Sequence, residues 1–268
     1  MKQLWSKTEK SRLISITVAI LLGIWEIGVR LSGVREFLLP PPSKIFVEFF
    51  EAPGYLLMQS LDTLQTTLAG FALAVVLGVI AAIGIVSSRF LDRTLYSLLV
   101  AMNAVPKVAL APLFVIWLGT GSAPKIAVAM LIAIFPILID TVLGLRSTDP
   151  EMLDMARVNQ ASPSKILWKL RFPNALPSLF AGMKVGVSFA LVGTIVGEFV
   201  AGGSGLGHVI LVAQGSFDTP TVFVALALLC FLGVVLFKAI ELIEARMLSW
   251  HASQRHHFVA TASVSGTS

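Results

Sequence analysis

Residues 156–177 have the sequence ARVNQASPSKILWKLRFPNALP, which is basic, polar and interrupted by three prolines. The rest of the chain is very different, since 56% of all residues are hydrophobic. A segment this polar does not belong in a hydrophobic core, and its Ser-Pro pair is a helix-start signal. The stretch therefore predicts an ordered, exposed insert within an otherwise apolar protein.

Two short helices are expected around this stretch. Asp149 followed by proline predicts an N-cap and first turn, with a helix over 150–160. Ser162 followed by proline repeats the signal for a second helix over 163–171. Pro173 is expected to stop that second helix, because the residue before a proline avoids the helical region.

The composition of the whole chain indicates a membrane protein. Only 13% of its 268 residues are charged and its mean hydropathy is +0.87, whereas soluble domains carry about 25% charge. A membrane-spanning helix needs roughly 20 mainly apolar residues. We therefore predict an all-α membrane protein with six spans, at residues 13–31, 66–87, 94–118, 126–145, 179–201 and 221–240.

The basic residues indicate the orientation of these spans. Most of the 20 Lys and Arg residues fall on one side if the N-terminus is cytoplasmic, so the charge is a topology signal and does not indicate nucleic-acid binding. The predicted regions are a cytoplasmic N-terminus (1–12), the first span (13–31), a periplasmic segment (32–65), a five-span core (66–247) containing the insert (146–178), and a disordered cytoplasmic tail (248–268).

The insert is too short to be stable without a partner surface. Its two helices have small apolar faces, which a groove on another protein would cover. A second possibility is that the insert lies at the lipid headgroups, with its basic residues on the phosphates. From the residues alone both alternatives stay open.

The insert resembles the cytoplasmic signature of ABC importer permeases. In DMARVNQASPSKILWKLRFPNALP, Asp154, Met155 and Ala156 stand at the Glu-Ala-Ala positions of that signature. The pairs ending in Pro173 and Pro177 match its Leu-Pro ending. Residues 105–121 (VPKVALAPLFVIWLGTG) and 197–220 are also similar to the family branch that imports nitrate, taurine, sulfonates or thiamine-precursor-like compounds.

The resemblance assigns a role to the insert, namely coupling to an ATPase. The residues expected to carry that role are Glu151, Asp154, Met155, Ala156, Gln160, Ala161, Ser162, Pro163, Pro173 and Pro177. One position departs from the family pattern, because Gln160 stands where the family has glycine. A glycine allows a tight left-handed turn, so the glutamine argues against such a turn here.

The resemblance also implies the fold, the partners and the location. It implies the type I ABC importer permease fold, a homodimer of this chain in the bacterial inner membrane, two cytoplasmic ATP-binding subunits and an external substrate-binding protein. The chain contains no phosphate-binding loop of the G-x-x-x-x-G-K-[ST] type. ATP and Mg²⁺ would therefore be used by the partner subunit, and no cofactor is expected in this chain.

Charged residues also fall within the predicted spans, where an unpaired charge is expensive. By depth, we expect Lys107 to pair with Glu198 in the outer half and Asp140 to pair with Lys184 in the inner third. These residues are the candidates for lining the translocation path, with Lys107 attracting an anionic solute. The alternative is that the pairs are structural links between helices.

Other function classes have less support in the sequence. No cluster of His or carboxylate residues has the spacing of a metal or acid–base site, so we expect neither catalytic nor metal-binding residues. An ion-coupled secondary carrier or channel that works without an ATPase is the main alternative. It predicts transport by this chain alone, whereas an ABC permease requires its ATPase and binding protein.

Overall fold

The computed structural model describes residues 2–88, 90, 91 and 105–248, which form helices joined by short connections. In chain order these are α1 (Lys2–Ser32), α2 (Pro42–Glu51), α3 (Pro53–Ser87), α4 (Ala111–Leu118, preceded by a 3-10 turn at Lys107–Leu110), α5 (Ser122–Arg146), α6 (Pro150–Val158), α7 (Pro163–Ala201), α8 (Leu206–Gly215) and α9 (Thr219–Met247).

Four of the helices in the described part of the chain, α3, α5, α7 and α9, are long and apolar enough to cross a membrane. They contain four of the predicted spans, and α1 covers the predicted first span over 13–31. The predicted third span, 94–118, lies partly outside the described residues. The total of six spans therefore stays a prediction, and so does the tail beyond residue 248.

The centre of the fold is the packing of α7 against α5, which is the most extensive helix contact in the described structure. Glycines at 182, 186, 193 and 197 lie along this contact. A Cβ added to Gly193 would come within 2.7 Å of Ala129 Cα, and one added to Gly197 would come within 2.7 Å of Lys125 Cα. The absence of side chains lets the two backbones approach closely, which is the usual basis of helix packing in membranes.

Helix α3 completes this core, and α8 and α9 pack beside it. The largest buried cluster joins all four long helices through Phe71, Ala74, Ala133, Ile137, Phe180, Val187 and Leu236. Many apolar side chains on the outer faces of these helices stay exposed, as expected for surfaces that face lipid or a partner chain. The core therefore positions the connections on both sides of the membrane.

Helix α2 packs against α1 and is joined to it by side-chain hydrogen bonds. The helix starts at Pro42, and Ser43 sits in its first turn. The carboxylate of Glu26 on α1 accepts hydrogen bonds from Ser43 N–H (3.0 Å) and Ser43 Oγ (2.8 Å). It also pairs with Arg30 at 2.6 Å. Glu26 therefore stabilises the N-terminus of α2, where a negative charge is favoured.

Candidate functional site

The insert begins at α6 as its sequence predicts. Asp149 Oδ1 accepts a hydrogen bond from the backbone N–H of Glu151 at 2.8 Å, and Pro150 occupies the first turn. This satisfies one of the N–H groups that a helix start leaves without an intrahelical partner. The predicted cap is thus confirmed, and Asp149 fixes the direction in which α6 leaves the end of α5.

The end of α6 corrects the expectation for Gln160. Its φ is 51°, so the glutamine adopts the left-handed conformation that was expected to favour a glycine. Ala161 N–H donates to Ala156 C=O at 2.9 Å and Gln160 N–H donates to Arg157 C=O at 2.9 Å. These two bonds form a Schellman C-cap. The expectation that glutamine argues against this turn is wrong, because the two cap bonds offset the strain of the left-handed residue.

The second predicted helix begins as expected but does not end at Pro173. Ser162 accepts a hydrogen bond from Lys165 N–H at 3.4 Å. The helix then passes through a π-helical segment, Leu167–Arg171, and continues without interruption to Ala201. Pro173 stands in the first turn of the α-helical segment that follows the wider π-helical turn, a position where a proline is tolerated. The expected stop is therefore wrong, and the insert is continuous with a membrane-spanning helix.

One face of α6 presents apolar side chains to the surroundings. Met155 is 67% exposed and Val158 is 82% exposed, and Met152 is exposed beside them. Asp154 and Arg157 form an ion pair at 2.8 Å at the edge of this face. Exposed apolar side chains concentrated on one short helix are typical of a binding surface.

The insert is also tied to the membrane helices at its base. Asn174 Nδ2 donates to Ser147 Oγ at 3.2 Å, which joins α7 to the end of α5. Close by, a Cβ at Gly144 would come within 3.0 Å of Ala175 Cα, so the two backbones are in close contact. The two ends of the insert are therefore held together where they meet α5 and α7.

A cluster of buried polar side chains surrounds the start of α8. Glu198 is fully buried (0% exposed), and its carboxylate accepts hydrogen bonds from Thr63 Oγ1 (2.8 Å) and Gly207 N–H (2.7 Å). Thr63 Oγ1 accepts from Leu206 N–H at 2.8 Å, and Gln59 Oε1 accepts from Gly205 N–H at 2.5 Å. Side chains from α3 and α7 thus satisfy the backbone N–H groups of the N-cap Gly205 and of the first two residues of α8.

The connection between α7 and α8 is rich in glycine because the side chain of Glu198 occupies the space beside it. Gly205 has φ of 99°, and a Cβ there would lie 2.0 Å from Glu198 Oε1. A Cβ at Gly207 would lie 2.9 Å from Glu198 Cβ. The glycines therefore leave the space that the carboxylate fills, and the connection is a structural turn.

Lys125 joins the same cluster from α5. It is 3% exposed, and its Nζ donates to Ser204 C=O at 2.8 Å and Ser204 Oγ at 3.2 Å. Lys125, Gln59 and Thr63 were not among the candidate site residues predicted from the sequence. The glycines at 205 and 207 were the one available signal, because a turn with so little side-chain volume leaves room for buried polar partners.

The predicted charge pairs inside the membrane are wrong. Lys184 Nζ pairs with Glu244 of α9 at 2.8 Å, and Asp140 instead packs against Gly182. Lys107 Nζ lies 4.1 Å from the ring centroid of Phe135, whereas Glu198 is held by the cluster described above. Position along the helices did not identify the partners, because the rotation of each helix decides which groups meet.

Known proteins match both the sequence and the fold. The model of the family described as "Binding-protein-dependent transport system inner membrane component" matches residues 74–249. The riboflavin transport system permease protein of Chloroflexus aurantiacus is 40% identical over 242 residues, covering 90% of each chain. The formylaminopyrimidine transport permease protein of Halalkalibacterium halodurans is 34% identical over 236 residues, covering 88% of this chain and 94% of the relative.

A solved structure supports the fold independently. An inward-facing methionine ABC transporter superposes with a TM-score of 0.65 at 18% identity, covering 73% of this chain and 97% of that one. At this identity the likeness concerns the fold, which is that of a type I ABC importer permease. The family match, the relatives and this fold show that the chain belongs to the binding-protein-dependent transport system inner membrane components, the membrane-spanning permease subunits of ABC importers.

Proposed function

We propose that the insert is the docking site for a cytoplasmic ATP-binding subunit, and that α6 carries the contact. The observation that supports this most directly is the exposed apolar face formed by Met152, Met155 and Val158. The other residues expected to carry coupling, Glu151, Asp154, Ala156, Gln160, Ala161, Ser162 and Pro163, form the rim of α6 and the turn that follows it. Pro173 and Pro177 lie where the insert enters the membrane-spanning part of α7.

The same geometry suggests how nucleotide-driven movement would reach the membrane. Helix α6 connects to α7 through a single capped turn at 159–162, and α7 runs continuously from Pro163 to Ala201. Closure of the ATPases would move α6 as a rigid body and tilt α7 against α5. For ATP to drive transport, the docked contacts have to differ between the two states of the permease.

We further propose the assembly that the family membership implies. Two copies of this chain enclose the path in the bacterial inner membrane, with two ATP-binding subunits inside and a substrate-binding protein outside. The regions follow the predicted topology, with residues 1–12 and 248–268 cytoplasmic and residues 32–65 periplasmic. ATP and Mg²⁺ act in the partner subunits, and this chain is a transport subunit without catalytic residues of its own.

The substrate is proposed to be a small polar solute of the vitamin or vitamin-precursor type. The names of the two relatives reported above specify riboflavin and a formylaminopyrimidine, which are both nitrogen heteroaromatic compounds. Lys107 and Asp140 remain candidates for residues of the translocation path, whereas the contacts of Glu198 and Lys184 favour structural roles. A binding assay with the cognate binding protein against flavins, pyrimidines, sulfonates and nitrate tests the solute class.

The docking proposal is tested by placing a charge on the apolar face. We expect Met155→Asp, and likewise Asp154→Arg, to leave the protein inserted in the membrane but to lose the ATPase in a pull-down. Phe217→Asp is the matched control, because Phe217 is also an exposed apolar residue (76%) but follows α8 and is not part of the insert. Retention of the ATPase by both α6 variants would contradict the assignment of α6 as the coupling helix.

A further inference from the structure

A cavity of about 530 Å³ lies between the insert and the cytoplasmic end of α3. Its walls include Val86 and Ser87 of α3, Leu153 and Arg157 of α6, and Ser164 and Arg171 of α7. Its size is that of a small-ligand site. The cavity is separate from the buried cluster around Glu198 and from the exposed apolar face of α6.

The cavity is positively charged. Arg157 and Arg171 both line it, and no Asp or Glu is among the described residues that form its walls. Arg157 uses Nη1 to pair with Asp154, which leaves its other guanidinium nitrogens available. The Nε of Arg171 is buried and has no hydrogen-bond partner in the described part of the chain. A buried donor without a partner is costly, so this one indicates an occupant that accepts hydrogen bonds.

The cavity faces away from the proposed ATPase contact. With 3.6 residues per turn, Leu153 and Met155 point about 160° apart around α6. Leu153 and Arg157 border the cavity, while Met155 and Val158 are exposed on the other side. An ATPase bound to the apolar face would therefore leave the cavity to another ligand.

The cavity also lies at the level of the lipid headgroups. Ser87 ends the apolar run of α3. Arg171 directly precedes Phe172, from which α7 continues as a regular α-helix into the membrane. The phosphates of the inner leaflet lie at this boundary between hydrocarbon and water. The hydroxyls of Ser87 and Ser164 add further donors to the walls.

We propose that this cavity binds a phosphate group, with Arg171 as its main donor and Arg157 as the second. A guanidinium donates two parallel hydrogen bonds to phosphate oxygens, which a lysine ammonium cannot do. Ser164 stands in the first turn of α7, where the helix dipole also favours an anion. The position at the headgroup level favours the phosphate of an anionic phospholipid over free phosphate.

Native mass spectrometry of the full chain in detergent tests this proposal. Phosphatidylglycerol and phosphatidylcholine of the same acyl chains are added in equal amounts, and retained lipid is counted. We expect the wild-type chain to retain phosphatidylglycerol, and Arg171→Gln to weaken retention by about tenfold or more. Lys169→Gln is the matched control, because it removes one positive charge from the same helical segment but does not line the cavity.

Additional arms identify the source of the phosphate and guard against misfolding. Inorganic phosphate at millimolar concentration should not displace the lipid; displacement would retain the phosphate site but assign it to free phosphate. Arg157→Gln should also weaken retention of the lipid. Because the Arg157 side chain is exposed and does not belong to α7, this variant still tests the proposal if Arg171→Gln fails to fold. Equal loss in Lys169→Gln and the arginine variants, or equal retention in all of them, would overturn the proposal.

Discussion

Gln160 occupies a backbone conformation that costs a residue with a Cβ roughly 1–2 kcal/mol. The cost is tolerated because its position allows two cap hydrogen bonds at the end of α6. Two bonds at roughly 1 kcal/mol each are enough to decide the balance. The turn therefore depends on the cap geometry, and a glycine is helpful there without being required.

We predict that Gln160→Gly raises the free energy of unfolding by up to about 1 kcal/mol, because it removes the left-handed strain. A thermal melt of the detergent-solubilised protein measures the effect as an upward shift of the midpoint. Asn159→Gly is the matched control, since Asn159 has φ of −79° and gains nothing from glycine. An equal shift in both variants would contradict the assignment of strain to Gln160.

Glu198 is the second residue whose role follows from its contacts. We predict that Glu198→Gln destabilises the protein by about 1–3 kcal/mol, because the amide NH₂ would face backbone N–H or hydroxyl donors where the carboxylate accepts. The melting midpoint should fall. Glu36→Gln, at an exposed carboxylate outside the cluster, should leave it nearly unchanged. A stable Glu198→Gln variant would show that the α8 turn does not depend on the charge.

At the scale of elements, α7 is the feature that links the two sides of the protein. It carries the insert at its N-terminal end, the glycine contact with α5 in the middle and Glu198 near its C-terminal end. The π-helical segment at Leu167–Arg171 is the place where its continuity is most easily lost. Coupling through α7 requires that this segment transmits movement without bending.

We predict that the double variant Lys169→Gly, Leu170→Gly binds the ATPase normally but loses most of the substrate-stimulated ATP hydrolysis. Glycine lowers helix stability by about 1 kcal/mol per residue relative to alanine. Lys169→Ala, Leu170→Ala is the control, because it removes the same side chains and keeps the helix stiff. ATP hydrolysis in reconstituted complexes is the measurement, and equal activity of the two variants would contradict rigid coupling through α7.

At the scale of the whole molecule, the fold has the architecture of a permease that works with partners. Its exposed apolar surfaces include the outer faces of the long helices, α4 and one face of α6. The membrane accounts for only some of these surfaces. We propose that partner chains of the assembly cover the remainder.

We predict that proteoliposomes containing this chain alone show no solute uptake under an ion gradient. Addition of the ATP-binding subunit, the substrate-binding protein and ATP should produce uptake, and replacing ATP with a non-hydrolysable analogue should abolish it. Uptake by the chain alone would favour the ion-coupled carrier that the sequence left as an alternative. Radiolabelled substrate, chosen from the binding-protein panel, provides the measurement.

Local signals in the sequence predicted the local features of the insert. Asp149 and Ser162 cap helices because an N-cap bond joins residues two or three positions apart. The composition predicted a membrane protein, since hydrocarbon selects apolar residues over the length of each span. Pro173 was misjudged because its local preference to end a helix was overcome by the π-helical turn before it.

The sequence by itself determined the class of the protein, its apolar spans and the capped helices of its insert, because each depends on residues that are close in the chain. Only the tertiary structure decided which charges meet. Lys184 pairs with Glu244, 60 residues away, and Gln59 binds Gly205, 146 residues away. These contacts depend on how closely α5 and α7 pack and how each helix is rotated. Those quantities come from the sum of many side-chain contacts across the whole fold.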